Sequence, residues 1–121
     1  MAHIFIIDDS PTDVRVFTTM LEKAGHRVSS AASAEDGIAK VRSERPDLVI
    51  MDVIMPGMNG FQATRSLSRD TGTADIPILI ITTKSMDTDR VWGLRQGAKD
   101  FMTKPVESRD LLQRIDSLLA T

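Results

Sequence analysis

Cysteine is absent from this 121-residue chain, which excludes disulfides, thiolate metal sites and cysteine nucleophiles. Histidine occurs only at positions 3 and 26, too few for a zinc site, and both are read as surface imidazoles. A basic excess is also missing: 15 lysines and arginines stand against 17 aspartates and glutamates, for a net charge of −2, which argues against a nucleic-acid partner. No run approaches the ~18 apolar residues of a membrane span. The apolar stretch Ile4 to Ile7 has no basic lead and is closed at once by Asp8 and Asp9, so it is not a signal peptide. Repeats, linkers and low-complexity tracts are lacking as well. What remains is 41% hydrophobic and 26% charged, the balance of a globular protein. The length suits one domain over residues 1–121, with a core hiding roughly two-thirds of the unfolded surface. The default compartment for such a chain is the cytoplasm.

Short β-rich runs alternate with longer amphipathic ones. His3 to Asp8 reads as a buried strand. Pro11 then opens a first helix, with Val14, Phe17, Leu21 and Ala24 as its apolar stripe and Gly25 as its stop. Arg27 to Ala31 is a weaker edge strand. Ser33 and Asp36 suggest a capped second helix, whose inner face holds Ile38 and Val41 and which Pro46 closes. Leu48 to Met51, ending at Asp52, is the best central strand. A turn-rich loop through Pro56, Gly57, Asn59 and Gly60 leads to a short helix, Phe61 to Arg69. Pro77 opens a fourth strand, Ile78 to Ile81. Asp87 to Gln96 is a fourth helix with Val91 and Leu94 inward and Gly97 as its stop. Trp92 lies about 100° from that stripe and is expected to be partly exposed. Phe101 to Thr103 is a fifth strand, and Leu111, Leu112, Ile115, Leu118 and Leu119 stripe the last helix. Five strand–helix units in alternation predict an α/β, doubly wound parallel sheet with helices on both faces and right-handed crossovers.

Such sheets place ligands beyond the carboxyl ends of their strands. Here those ends carry Asp8 and Asp9, Asp52, Thr82 and Thr83, then Thr103 followed by Lys104 and Pro105. Strands one, three, four and five are neighbours in this topology, so the groups should converge. Two carboxylates ~5 Å apart at an effective dielectric of ~20 repel by roughly 3 kcal/mol. Such a cluster either binds protons or gathers a cation, and a hard, oxygen-seeking ion such as Mg²⁺ fits. Carboxylates, Mg²⁺, an ammonium and a hydroxyl together are the parts for phosphoryl transfer to an aspartate. Singly, Asp9 reads as a helix cap, Thr82 as a strand end and Lys104 as a solvated lysine. It is their coincidence on one rim that points to chemistry.

Asp8-Asp9-Ser10, Asp52 followed by Met55 to Gly60, Ile81-Thr82-Thr83 and Lys104-Pro105 resemble, in order and spacing, the receiver domain of two-component response regulators. The likeness covers essentially the whole chain. It implies the CheY-like, flavodoxin-like strand order 2-1-3-4-5, with Asp52 as phosphoacceptor. Asp8 and Asp9 would hold Mg²⁺ with Asp52 and the main-chain carbonyl of Ile54. Lys104, Thr82 and the main chain of Thr83 would contact the phosphoryl group, across a cis Lys104–Pro105 bond. Thr82 and Phe101 would form a switch in which Phe101 turns inward. The implied donor is a CheA-like histidine kinase. The implied readout face is helix four, strand five and helix five. No residues are left for an output domain, so output would pass through a separate motility protein, or the domain would drain phosphate from a shared kinase. The domain would be a monomer that catalyses only its own phosphorylation and dephosphorylation. Asn59 to Arg65, Thr82 to Lys84 and Val91 to Ala98 are further similar to stand-alone receivers of type IV pilus chemosensory (twitching) pathways. Thr83 stands where alanine or glycine is frequent and would crowd the phosphoryl pocket. Apolar Ile54 would hinder an attacking water.

Two other classes share parts of this pattern. A flavodoxin-like electron carrier needs a hydroxyl- and glycine-rich phosphate loop after strand one, where Asp8, Asp9 and Asp13 would repel a phosphate. An aspartate-based phosphatase wants a second acid two residues after its nucleophile, and Ile54 occupies that place.

Overall fold

The computed structural model describes residues 1–120. Among them the elements run β1 (His3–Ile7), α1 (Pro11–Lys23), β2 (Arg27–Ala31), α2 (Ala34–Glu44), β3 (Leu48–Met51), α3 (Gly60–Arg69), β4 (Ile78–Thr82), α4 (Asp87–Gln96), β5 (Asp100–Thr103) and α5 (Ser108–Leu119). All strand pairings are parallel, in the order β2-β1-β3-β4-β5. This is the order expected from the sequence, with strand and helix ends moved by one residue at most.

Alternation along each strand divides the core in two. Ile4, Ile6, Leu48, Ile50, Leu79 and Ile81 face α1 and α5, where Phe17, Leu21, Leu111 and Ile115 cover them. Phe5, Ile7, Val49, Met51, Ile78 and Ile80 face the other way, toward Ile38 and Val41 of α2 and Phe61, Ala63 and Leu67 of α3. Both faces of the central strands are therefore apolar, and polar side chains are confined to their ends. Capping fixes where helices start. Ser10, and not Asp9, caps α1 by accepting from the Asp13 amide, and Ser33 does the same for α2 from Asp36. Asn59 and Gln62 form a full capping box on α3.

The fold corrects two expectations. Val91 and Leu94 do not face inward: they are 50% and 38% exposed, and the buried residue of α4 is Gly93. This helix is laid on the sheet through its backbone. A Cβ at position 93 would stand 2.9 Å from Ile80 Cδ1 and 3.3 Å from Phe101, so a side chain there would require Ile80 or α4 to shift. The apolar residues flanking Gly93 are thereby turned outward, Trp92 among them, half-exposed as expected. The second correction is His3, which is buried rather than a surface imidazole. Its Nε2 lies 2.8 Å from Ser29 Oγ and 3.6 Å from Glu44, so β2 and α2 supply the polar partners that let a histidine be buried.

Candidate functional site

Parallel strands deliver their carboxyl ends to one rim, and register sets which residues meet there. The Asp8 amide donates to the Ala31 carbonyl of β2 and the Asp52 amide to the Ile7 carbonyl of β1, which aligns the ends of β1 and β3. The Lys104 amide donates to the Thr82 carbonyl, bringing the residue after β5 to the end of β4. The following Lys104–Pro105 peptide is cis.

Asp8, Asp9 and Asp52 converge, each offering one carboxylate oxygen within 4.8 Å of the others. Asp8 and Asp52 are 2% and 5% exposed, whereas Asp9 stands open to solvent. One oxygen of each buried acid is tied down locally. Asp8 Oδ1 accepts from the Ser10 amide at 2.9 Å and Asp52 Oδ1 from the Val53 amide at 2.8 Å. The remaining oxygens face Lys104, whose Nζ lies 2.8 Å from Asp8 Oδ2 and 3.6 Å from Asp52 Oδ2. A fourth acid, Asp13, read in the sequence only as a charge after strand one that would repel a phosphate, approaches the same ammonium to 2.7 Å.

The electrostatics follow from this packing. Burial, and then the charge of Asp8, push Asp52 above the ordinary carboxylate range; Lys104, the Thr82 hydroxyl and the Val53 amide oppose the rise. Burial works against the Lys104 ammonium too. Bonds to Asp13 and Asp8, with the charges of Asp52 and Asp8, outweigh it and hold that lysine well above its usual range. Three acids, Asp8, Asp13 and Asp52, thus share one fixed ammonium, with Asp9 beside them. The donor set around Asp52 is all oxygen and under-compensated in charge, which fits a hard divalent cation and does not suit a soft one.

The other residues singled out in the sequence are placed as follows. Thr82 is buried at the end of β4, its hydroxyl accepting from the Lys84 amide at 3.4 Å, and Thr83 beside it is exposed. Ile54 is exposed on the loop after Asp52. Phe101 is already inward and buried, packed near Gly93, so this conformation leaves it no further inward turn. Lys84 pairs with Asp89 at 3.4 Å.

A doubly wound sheet of this order, with acids and a lysine gathered on its carboxyl rim, defines the receiver class of signalling domains, and residues 4–116 match the response regulator receiver domain family. The chain belongs to that family. It is 55% identical to protein PilH of Pseudomonas aeruginosa over 120 residues, covering 99% of each chain. Its backbone superposes on the chemotaxis protein CheY4 of Vibrio cholerae with a TM-score of 0.91, at 30% identity and 98% coverage of both chains. The receiver domain of a sensor histidine kinase from Pseudomonas aeruginosa, 25% identical with a TM-score of 0.92 over 99% of this chain and 98% of its own, carries a magnesium ion coordinated in its active site cleft. Against several transcriptional regulators the chain spans only about half of the relative's length. Among the described residues, no helix is long and apolar enough to cross a membrane.

Proposed function

We propose that this receiver is a stand-alone cytoplasmic response regulator of type IV pilus (twitching) motility, phosphorylated on Asp52 by a CheA-like histidine kinase. The observation that carries the reading is the meeting of buried Asp52 with Asp8 and Lys104 at the ends of three different strands. The likeness to PilH supports the pathway.

Asp8, Asp9 and Asp52, with the Ile54 carbonyl, are the groups that would hold Mg²⁺. When bound, that ion offsets negative charge on the phosphoryl oxygens. The chain's own residues do the rest. The Asp52 oxygen attacks the phosphorus of a phosphohistidine in line, forming the O–P bond as the P–N bond breaks and the imidazole leaves with the electron pair. Lys104 supplies fixed positive charge to the transferring group, and the Thr82 hydroxyl and the Thr83 main chain supply hydrogen bonds. The new charge at Asp52 then draws Thr82 toward it. Phe101 is already buried against Gly93, so the shift of Thr82 needs no inward turn of that ring and is passed through the existing packing to the face of α4, β5 and α5. Val91 and Trp92, exposed there, suit a separate motility partner engaged by a monomer.

Acetyl phosphate with Mg²⁺ is expected to add one phosphoryl group per chain, read by intact mass, and none when EDTA replaces the metal. Labelling unaffected by EDTA would overturn the assignment of the acids as metal ligands.

A further inference from the structure

The geometry points to Asp13 as a positioning residue of this site: it holds the Lys104 ammonium toward α1 and must release it when Asp52 carries a phosphoryl group. The inference rests on the reading of Asp52 as phosphoacceptor and adds to it a competitor for the one fixed cation.

Asp13 lies outside the three acids that stand within 4.8 Å of one another, and the Lys104 ammonium links it to the rim. That link is short. Nζ is 2.7 Å from Asp13 and 2.8 Å from Asp8, but 3.6 Å from Asp52. The lysine's closest bonds therefore go to two acids that are not the acceptor. Both are tied to one backbone segment: the Ser10 amide donates to Asp8, and the Ser10 hydroxyl accepts from the Asp13 amide. The start of α1 thus fixes the Asp8 carboxylate and the Asp13 main chain relative to each other, and the ammonium bridges the two carboxylates.

A phosphoryl group on Asp52 adds negative charge where Nζ is now farthest. The ammonium gains by moving toward it, and a bond must be given up. Asp8 is almost wholly buried, so an unpaired charge there would be costly. Asp13 is 37% exposed and lines, with Lys104, Thr83 and Pro105, a cleft of about 360 Å³ between α1 and the segment after β5. Water can take over its bond, so Asp13 is the partner that lets go. Its carboxylate then stands unpaired at the cleft rim, a change of surface charge coupled to phosphorylation.

An ordinary acid of a helix's first turn would only stabilise α1. The two roles separate in the affinity for beryllofluoride, a phosphoryl analogue, titrated with Mg²⁺ into the full chain and followed by thermal shift. Asp13→Asn keeps the shape of the side chain and removes its charge. It is expected to bind beryllofluoride roughly tenfold tighter, the scale of one charge-assisted bond discounted for exposure. Asp13→Glu, which restores the carboxylate, is expected to return toward wild type. A purely structural acid would leave the affinity of Asp13→Asn unchanged or weaken it, and either result overturns the role of Asp13 while wild-type binding stands. Wild-type protein that fails to bind beryllofluoride would instead remove the acceptor reading, and this inference with it.

Discussion

Replacing Gly60 by alanine is expected to damage the fold and the site together. Gly60 opens α3 directly under the end of β3, and its amide donates to the Val53 carbonyl at 3.0 Å. A Cβ there would stand 1.9 Å from the Asp52 carbonyl oxygen, 2.7 Å from its carbon and 2.8 Å from Val53 Cα. All three are backbone atoms, so no rotamer change relieves the clash. Either α3 or the segment carrying Asp52 has to shift. We expect a loss of about 3 kcal/mol or more in urea denaturation, the upper end of overpacking costs, and loss of beryllofluoride binding by whatever folded protein remains. The control is Gly72→Ala, where the added carbon meets only Asp70 Oδ1 at 3.5 Å, and near-wild-type stability is expected. Equal tolerance at the two positions would contradict the close approach of α3 to β3.

Asp52→Asn should abolish phosphoryl labelling and, without metal, make the protein more stable at neutral pH. The folded-state pKa of Asp52 is raised by burial and by Asp8. Whatever stability a raised carboxylate contributes is present below its unfolded pKa, near the ordinary 3.8, and is lost as pH rises through the folded value. At neutral pH the wild type therefore carries an ionised group that its surroundings disfavour. Asparagine cannot ionise, and it gives up the weaker opposing attraction of Lys104 at 3.6 Å and the charge-assisted part of the Thr82 and Val53 bonds. The Tm of the variant, in EDTA, should exceed that of wild type by several degrees at neutral pH, with the gap closing as pH falls toward 3.8. A variant less stable than wild type under those conditions would mean that Lys104 dominates the balance at Asp52.

Most of the fold could be read from the sequence because its signals are local. Apolar runs ending in acid mark the strands, glycines at 25 and 97 stop α1 and α4 with positive φ, and serines at 10 and 33 start α1 and α2. The meeting of Asp8, Asp52 and Lys104 was legible for a topological reason: a parallel sheet sends every strand's carboxyl end to one rim, so residues far apart in sequence can be gathered by position alone. The misreadings have two causes, a missing side chain and partners remote in sequence. In α4 the inner face is made by Gly93, which has no side chain to register in a periodicity, so the outward-facing Val91 and Leu94 looked like the stripe. His3 reads as a surface imidazole in the sequence because its partners, Ser29 and Glu44, come from other elements. Asp13 reads in the sequence only as a further negative charge after strand one, because its partner lies 91 residues away. A lysine shared among several acids offered the one available signal, since a carboxylate one helical turn beyond Asp9 lies within reach of the same rim.

Chemical trapping of the phosphorylated residue tests the acceptor most directly. An aspartyl phosphate is an acyl phosphate and is reduced by borohydride to homoserine. After treatment with acetyl phosphate and Mg²⁺, then borohydride and peptide mass mapping, homoserine is expected at position 52 and at no other acid. Homoserine at Asp8, Asp9 or Asp13 instead, or a reduced protein with every aspartate intact, would contradict the assignment of Asp52.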